Sequence, residues 1–316
     1  MSKGCRLCAL TLALMVAFGV PVYGWDNLGH MTVAATAYRR LTPTKRDRVD
    51  ALLKLNPDRP NWLKLIPPGT PPEDQRMMVF MIAATWPDRI KSDSHYSDDG
   101  TENGNRPDGA SSRLNIGYPD LLRHKYWHFV DEPFTQDGTK LAPVPTPNAL
   151  TQIAAFRAVL ASNKPDALKS YDLSWLLHLV GDVHQPLHGA ARFGKTQRDG
   201  DAGGNLVQVC APTCGVRLHA FWDDILGTSD SPADALVVAN ALPPAPAQLA
   251  DVMDTAKWID ESFQSAQQNV YVTPIGLGKG PFNITPAYRG AALALARKRV
   301  ALAGARLANI LNNELK

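Results

Sequence analysis

The sequence predicts an all-α fold class, mainly helical with one short β-hairpin, and three observations support it. Apolar residues recur at spacings of three and four over several long stretches, which is the periodicity of one helix face. The last of these stretches is rich in alanine, the best helix former. A persuasive strand pattern occurs only once along the chain, so the sheet content is expected to be small.

The helical stretches occur in the following chain order: NLGHMTVAATAYRRL, MMVFMIAATWPDRI, NALTQIAAFRAVLAS, YDLSWLLHLVGDVHQPLH, DTAKWIDESFQSAQQNVYV and PAYRGAALALARKRVALAGARLANILNNEL. The last begins with a proline, which suits the first turn of a helix.

The strand pattern, NLVQVCAPTCGVRLH, predicts a hairpin with its cysteines at the tip. Three long connections predict irregular segments, which in a compact chain are usually functional or disordered: NPDRPNWLKLIPPGTPPED, KSDSHYSDDGTENGNRPDGASS and DEPFTQDGTKLAPVPTPN.

Residues 1–24 have the pattern of a secretory signal peptide. Lys3 and Arg6 precede an apolar run, and VYG places small residues before a cleavage site after Gly24. The run is shorter than the roughly 20 residues that span a bilayer, and an uncleaved anchor is the alternative. We therefore expect a secreted or periplasmic protein with no membrane span, in which residues 25–316 form a single domain.

Charge and cysteine content constrain the class of protein further. The chain carries 33 Lys and Arg against 30 Asp and Glu, and loss of the leader brings it close to neutrality. Bulk charge therefore predicts no general affinity for nucleic acid, so an anionic substrate must be bound locally. Cys210 and Cys214 remain after cleavage, and export permits a disulfide between them. A zinc site on these two thiols is the alternative, but no second cysteine pair supports it.

The stretch HLVGDVHQPLH carries the strongest local signal for chemistry. His178 and Asp182 are four residues apart, so on a helix they share a face and can hold one ion. His184 lies roughly 120° around the helix from that pair, which predicts that it supports a ligand or packs in the core and does not bind the ion itself. Pro186 interrupts the helical hydrogen bonds and allows His188 to turn back toward the pair.

The stretch HAFWD repeats this spacing with His219 and Asp223. Imidazole and carboxylate are both zinc ligands. One such pair often forms only a salt bridge, but two pairs favour a metal site.

Asp88 in TWPDRI and His128 in YWHFVD are further candidates. Taken alone, however, Asp88 is equally well explained as a turn aspartate and His128 as a buried histidine. Asn205 in DAGGN could donate to a ligand oxygen, and turn formation explains it equally well.

Several common catalytic motifs do not occur in the sequence. It contains no G-x-G-x-x-G fingerprint, Walker loop or G-x-S-x-G elbow. Nucleotide-cofactor chemistry and serine hydrolysis therefore lack support, and metal-assisted hydrolysis remains.

Six stretches together resemble a known family: WDNLGH, ATWPDRI, YWHFVD, HLVGDVHQPLH, DAGGN and LHAFWDD. They follow the order and character of the trinuclear-zinc, single-strand-specific nucleases. These are the type I, or P-one-like, nucleases of the zinc phospholipase C and nuclease superfamily. The resemblance extends to WIDESFQSAQQNVY and AGARLANILN, so it covers almost the entire mature chain and implies a phospholipase C/P-one nuclease-like fold.

The resemblance implies three zinc ions, held by imidazoles, carboxylates and the amino terminus of the mature chain. The first ion would be bound by the α-amine and carbonyl oxygen of Trp25, together with His30 and Asp182. The second ion would be bound by Asp88, His128 and His178, and Asp182 would bridge the first and second ions. The third ion would be bound by His188, His219 and Asp223. Cleavage at one particular bond would then create a metal ligand.

The resemblance also implies an activity. The expected reaction is hydrolysis of single-stranded DNA and RNA to 5′-phosphorylated products, with 3′-nucleotidase activity as an additional expectation. Bridged zinc ions acidify a shared water, Asp88 would orient that nucleophile, and Asn205 would contact the phosphate. Nucleic acids and nucleotides are the expected partners, and no stable protein partner is implied.

Departures from the family and competing functions remain open at this point. The chain lacks the cysteine-bridged loop of the fungal enzymes after His128, so the base pocket is unassigned and Tyr96, Tyr126 and Phe193 are candidate stacking surfaces. A zinc phospholipase C, or a dual enzyme, is the nearest alternative, although such lipases typically carry glutamate where Asp223 stands. A non-catalytic exported protein that binds zinc or nucleic acid is the second alternative, and a helical domain with histidines buried for packing is the third.

Overall fold

The computed structural model describes residues 25–99 and 121–316. The predicted signal peptide and residues 100–112 of the second predicted irregular segment lie outside the described residues. The helices are α1 (Asn27–Arg40), α2 (Pro43–Leu53), α3 (Arg59–Leu63), α4 (Pro72–Ala83), α5 (Trp86–Arg89), α6 (Ala149–Leu160), α7 (Asp166–Asp182), α8 (Leu218–Asp223), α9 (Pro232–Asn240), α10 (Ala247–Ala250), α11 (Thr255–Ser265) and α12 (Pro286–Glu314).

Short elements complete the described fold. The strands are β1 (Pro133–Thr135), β2 (Ala191–Phe193), β3 (Gln208–Cys210), β4 (Cys214–Arg217) and β5 (Phe282–Asn283). Single 3₁₀ turns cover Lys125–Trp127, Pro186–Gly189 and Asp224–Leu226, and a π-type turn covers Ala266–Val270. The mainly α-helical fold class is confirmed.

Local signals explain where the major helices begin. The Asp26 side chain accepts a hydrogen bond from the backbone of Asn27 at the start of α1. Asn148 and Thr151 exchange hydrogen bonds as a capping box at the start of α6. Such caps satisfy backbone N–H groups that have no partner inside the helix. The side chain of Thr285 caps α12 in the same way, one residue before the proline that opens it.

The structure differs from the sequence expectations in several helical regions, and it adds α9 and α10, which the sequence did not predict. It adds α2, whose run of charged residues gives a weak apolar periodicity. It places α3 inside a segment that was expected to be irregular, where Trp62 becomes buried. It also divides the predicted helix over residues 77–90 into α4 and α5, because Pro87 in α5 has no N–H to continue the hydrogen-bond ladder.

The predicted hairpin is confirmed as β3 and β4, which pair antiparallel, and Cys210 and Cys214 at its tip form a disulfide. The sequence expectation was incomplete, because β5 adds to β3 in parallel and a separate parallel pair forms between β1 and β2. Strands of two or three residues are too short to show a periodic pattern. The β1–β2 pair fixes the segment that follows His188.

Helix α1 packs against α12, α9 and α4, and α7 packs against α6, α2, α5 and α1. A Cβ on Gly304 of α12 would lie 2.6 Å from the Cβ of Thr36, so the close contact between α1 and α12 requires glycine there. Tryptophans at seven positions are buried, namely Trp25, Trp62, Trp86, Trp127, Trp175, Trp222 and Trp258. None of the helices that the structure describes has the length and apolar character needed to cross a membrane.

Candidate metal centre

Candidate ligands from distant parts of the chain meet in one buried region beside α7. They come from α1, α5, the end of the first 3₁₀ turn, α7, the second 3₁₀ turn and α8, and none is more than 4% exposed. The set consists of His30, Asp88, His128, His178, Asp182, His188, His219 and Asp223. The structure therefore brings together every side chain that the sequence proposed as a metal ligand.

The first cluster consists of His30, Asp88 and His178, whose donor atoms lie within 4.8 Å of one another. His30 Nε2 lies 3.8 Å from Asp88 Oδ2 and 3.3 Å from Asp182 Oδ1. Its ring stacks on that of His178 with centroids 3.8 Å apart. Asp88 therefore lies close to His30 as well as to the residues with which the resemblance groups it.

The second cluster consists of His128, His178 and Asp182. His178 Nε2 lies 3.1 Å from Asp182 Oδ2, and His128 Nδ1 lies 3.0 Å from the same oxygen. The other oxygen, Oδ1, faces His30. The two oxygens of Asp182 thus face different histidines, Oδ1 facing His30 and Oδ2 facing the pair His128 and His178, which is the placement that a bridging ligand needs.

The third cluster consists of His188, His219 and Asp223. His219 Nε2 lies 3.1 Å from His188 Nε2 and 3.6 Å from Asp223 Oδ2. The 3₁₀ turn after α7 brings His188 back, as the proline at position 186 suggested, and α8 presents the other two on one face. His188 also lies 3.9 Å from Asp182, so the third cluster adjoins the other two.

Trp25 is fully buried beside these clusters. Its indole Nε1 donates to the carbonyl oxygen of Gly181, 3.0 Å away. The backbone N–H of Asp26 donates to the carbonyl oxygen of Asp223. These contacts anchor the segment that precedes α1 against both α7 and α8.

Three histidine rings are oriented through backbone carbonyl groups. The Nδ1 atom of His178 lies 2.7 Å from Ala84 O, that of His188 lies 2.7 Å from His128 O, and that of His219 lies 2.6 Å from Gly203 O. Each contact assigns the proton to Nδ1 and leaves Nε2 for another partner. Metal-binding histidines are commonly oriented by a hydrogen bond of this kind.

Unpaired polar atoms provide a test of whether the residues fit a metal. Buried polar atoms are normally hydrogen-bonded, yet both ring nitrogens of His30 and the Oδ2 atom of Asp88 have no hydrogen-bond partner among the described residues. The same holds for His128 Nε2 and Asp182 Oδ1. Because these atoms belong to the clusters, the donor set fits divalent cations that accept imidazole and carboxylate ligands.

The clusters contain a strongly coupled set of charges. Burial alone would raise the pKa of Asp88, but the positive charges of Lys91 and His178 hold that pKa below its ordinary value. Burial opposes a charge on His178, yet Asp182 and Asp88 raise its pKa to about 10. Burial together with Lys91 lowers the pKa of His128 to about 3. The carboxylates of Asp88 and Asp182 thus favour positive charge in the space between them. A bound divalent cation would also supply such a charge.

Sequence reasoning missed Lys91 as a functional candidate. Its side chain is buried, and Nζ lies 2.8 Å from Asp88 Oδ1. The available signal was the spacing of three residues from Asp88, which places both on one face of a helical turn. A buried ammonium group beside the clusters is an additional positive charge in the centre.

Asn205 lies in the glycine-rich turn as expected, is half-buried, and donates from Nδ2 to Ala202 O at 2.8 Å. The same turn contains Gly203, which has a φ of +59° and whose Cβ would lie 2.6 Å from Leu187 O. Gly203 also supplies the carbonyl oxygen that orients His219. The turn therefore shapes the third cluster and carries Asn205 beside it.

Two of the three candidate stacking residues are excluded by burial. Tyr126 is fully buried and donates its hydroxyl to Asp99, and Phe193 is only 6% exposed. Neither presents a ring face to a base in solution. Tyr96 is half-buried with its ring edge-on to Trp86, so it is the one that keeps some exposed ring surface.

The fold and the clusters define a helical protein with a candidate multi-ion metal centre. The chain belongs to the S1/P1 nuclease family, whose profile matches residues 25–316. Members of this family depend on metal ions for activity. A protein named Endonuclease 2 from Arabidopsis thaliana is 24% identical over 231 residues. That alignment covers 72% of this chain and 66% of the plant protein, slightly less than two thirds of its length.

Proposed function

We propose that the protein is a secreted, zinc-dependent nuclease. Its substrates are single-stranded DNA and RNA, its products carry 5′-phosphates, and it also removes 3′-phosphates from nucleotides. The observation that carries the proposal is Asp182, whose Oδ1 faces His30 while its Oδ2 faces His128 and His178. Membership of the S1/P1 nuclease family and the similarity to Endonuclease 2 support phosphodiester hydrolysis.

Zinc suits the donor set because the clusters offer imidazole nitrogens and carboxylate oxygens. The proposed ligands of the first ion are Trp25, His30 and Asp182. Those of the second are Asp88, His128, His178 and the shared Asp182. Those of the third are His188, His219 and Asp223. Bound zinc would supply a water acidified toward neutral pH and positive charge for the departing oxygen.

Asp88 is the proposed catalytic residue of the chain. Its lowered pKa keeps the carboxylate ionised at neutral pH, so it can accept a hydrogen bond from the attacking water and orient it toward phosphorus. Lys91 holds one oxygen of this carboxylate. Its ammonium group also adds positive charge where the pentacoordinate phosphate would carry extra negative charge.

Two features of the chain support a preference for single strands. The proposed ligands are almost completely buried, so a scissile phosphate must enter a recess to reach them. A single strand can turn one phosphate and its base inward, whereas a duplex holds its backbone on the outside of a regular helix. Asn205 lies on the turn beside the third cluster, where its amide is proposed to contact that phosphate.

Export is part of the proposal because the terminal amine of Trp25 exists only after cleavage following Gly24. The leader-like pattern of residues 1–24 supports this step, and the family match begins at residue 25. The disulfide between Cys210 and Cys214 suits an oxidising compartment. We propose that the mature chain, residues 25–316, is one domain.

The test uses correctly processed protein, with elemental analysis for zinc and assays on single-stranded DNA, RNA, duplex DNA, 3′-nucleotides and phosphatidylcholine. We expect about three zinc ions per chain, hydrolysis of single strands, 5′-phosphate ends, and loss of activity on chelation that zinc reverses. Turnover of phosphatidylcholine alone would assign the protein to the phospholipases C. Zinc without any turnover would make it a binding protein, and little zinc would overturn the proposal.

A further inference from the structure

The side chain of Gln185 contacts the third cluster, although it belongs to none of the proposed ligand sets. It lies in the turn between α7 and the 3₁₀ turn Pro186–Gly189 and is fully buried. Its Nε2 donates to Asp223 Oδ1 at a distance of 2.7 Å. Its Oε1 accepts a hydrogen bond from the backbone N–H of Leu187.

This contact leaves the two oxygens of Asp223 with different partners. Gln185 donates its hydrogen bond to Oδ1 of Asp223. The other oxygen, Oδ2, faces His219 Nε2 at 3.6 Å. A carboxylate held through one oxygen has lost its rotational freedom, so the other oxygen points in a fixed direction. Gln185 therefore selects which oxygen of Asp223 is available within the third cluster.

The turn that carries Gln185 is itself held by buried charged side chains. Arg299 Nε donates to the carbonyl oxygen of His184, and Arg306 Nη1 lies 2.9 Å from His184 Nε2. Both arginines pair with Glu261. The amide of Gln185 is thus presented from a backbone segment that α11 and α12 fix in place.

Hydrogen bonds to ligating carboxylates and histidines usually change metal affinity by about 10- to 100-fold. We propose that Gln185 is a positioning residue for the third zinc site, acting through Asp223. This inference rests on the proposed function only for the identity of the ion. It makes the affinity of one ion depend on a residue from the turn that joins Asp182 to His188.

The experiment measures zinc per chain against buffered free zinc for the wild type and for Gln185→Asn. Asparagine can still accept the hydrogen bond from the N–H two residues on, but it is one methylene too short to reach Asp223. We expect two ions to bind as in the wild type and the third to bind about 10- to 100-fold more weakly. His219→Ala serves as the reference that identifies which binding step belongs to the third ion.

A double-mutant cycle separates positioning from general packing. In an Asp223→Ala background, Gln185→Asn should produce no further loss of zinc affinity, because the residue through which it acts is gone. The matched control is Gln152→Asn, since Gln152 is equally buried but lies on α6 and its Nε2 has no hydrogen-bond partner among the described residues. This control should bind all three ions as the wild type does.

The outcomes distinguish this inference from the proposed function. A third ion bound equally well by Gln185→Asn, or a further loss in the Asp223→Ala background, would overturn the inference. Three ions bound without nucleic-acid hydrolysis would overturn the proposed function and leave the inference standing. Thermal unfolding of the metal-free variants checks folding, and Gln185→Met, which fills a similar volume without the amide, takes the place of any variant that does not fold.

Discussion

The imidazole rings of His30 and His178 stack with their centroids 3.8 Å apart and 19° between their planes. One ring comes from α1 and the other from α7, so the stack joins two helices that both carry proposed ligands. The close approach depends on Gly181, where a Cβ would lie 2.9 Å from His30 Nδ1. The absence of a side chain at this position thus sets the location of His30.

Replacement of this glycine should displace His30 without removing any ligand. We expect Gly181→Ala to weaken the ion held by His30 and to lower nuclease activity by about 10- to 100-fold. Zinc titration and initial rates on single-stranded DNA would show this. Gly290→Ala is the matched control, because Gly290 is an exposed residue of α12 with open space around it. It should keep full activity and gain roughly 0.5–1 kcal/mol of stability.

The amino terminus offers a second test. We expect one extra alanine before Trp25 to weaken the first zinc site and depress activity, because the free α-amine of Trp25 would be converted to an amide. Zinc analysis and activity on the same preparation would measure both effects, and an alanine added after Lys316 is the control. An extended enzyme with full zinc content and full rate would exclude the terminal amine as a ligand.

Asp182 and His184 lie two residues apart but have different environments. We expect Asp182→Asn to lose zinc and activity, because one carboxylate faces two clusters. His184 instead accepts from Arg306 and contacts Val180 O through Nδ1. His184→Ala should therefore retain its zinc and lose roughly 1–3 kcal/mol of stability by leaving Arg306 partly unpaired. Calorimetry and elemental analysis distinguish the two, and equal loss of zinc in both variants would contradict the ligand assignment.

Lys91 provides a prediction that separates metal binding from turnover. We expect Lys91→Met to retain its zinc but to lower kcat/KM by about 100-fold, because it removes positive charge close to the reacting phosphate. Lys91→Arg, which keeps the charge, should lose less. Equal activity of Lys91→Met and the wild type would exclude Lys91 from the reaction.

Asp172 on α7 makes stability depend on pH. It is buried, neither of its carboxylate oxygens has a hydrogen-bond partner among the described residues, and burial raises its pKa from 3.8 to about 8. Between about pH 4 and pH 8 the Asp172 carboxyl group therefore stays protonated in the folded protein but ionises in the unfolded chain. The contribution of Asp172 to the free energy of unfolding is complete below about pH 4 and is lost as the pH rises toward 8.

The corresponding measurement compares wild type with Asp172→Asn by denaturant unfolding between pH 4 and pH 8. Asparagine cannot ionise, so the stability of the variant relative to the wild type should increase steadily across this range. Taking the difference at each pH cancels contributions from groups common to both proteins. A difference that does not change with pH would show that Asp172 is ionised in the folded state.

The sequence by itself determined what depends on neighbours along the chain. The pairs His178/Asp182 and His219/Asp223 follow from helical spacing, because residues four apart share a helix face. The hairpin around Cys210 and the long helix α12 follow from equally local patterns. Helix α2 was not predicted because its run of four charged residues weakens the apolar periodicity, and β1 was not predicted because three residues cannot show a period.

The tertiary structure decided how these local pieces meet. It placed Asp88 near both His30 and His178, turned the two oxygens of Asp182 toward different histidines, and brought Lys91 into the centre. It also buried Tyr126 and Phe193 and joined Gln185 to Asp223. Each of these relationships depends on packing between elements far apart in the chain. Periodicity reports only which face of an element is buried, whereas close packing of side chains determines what that face contacts.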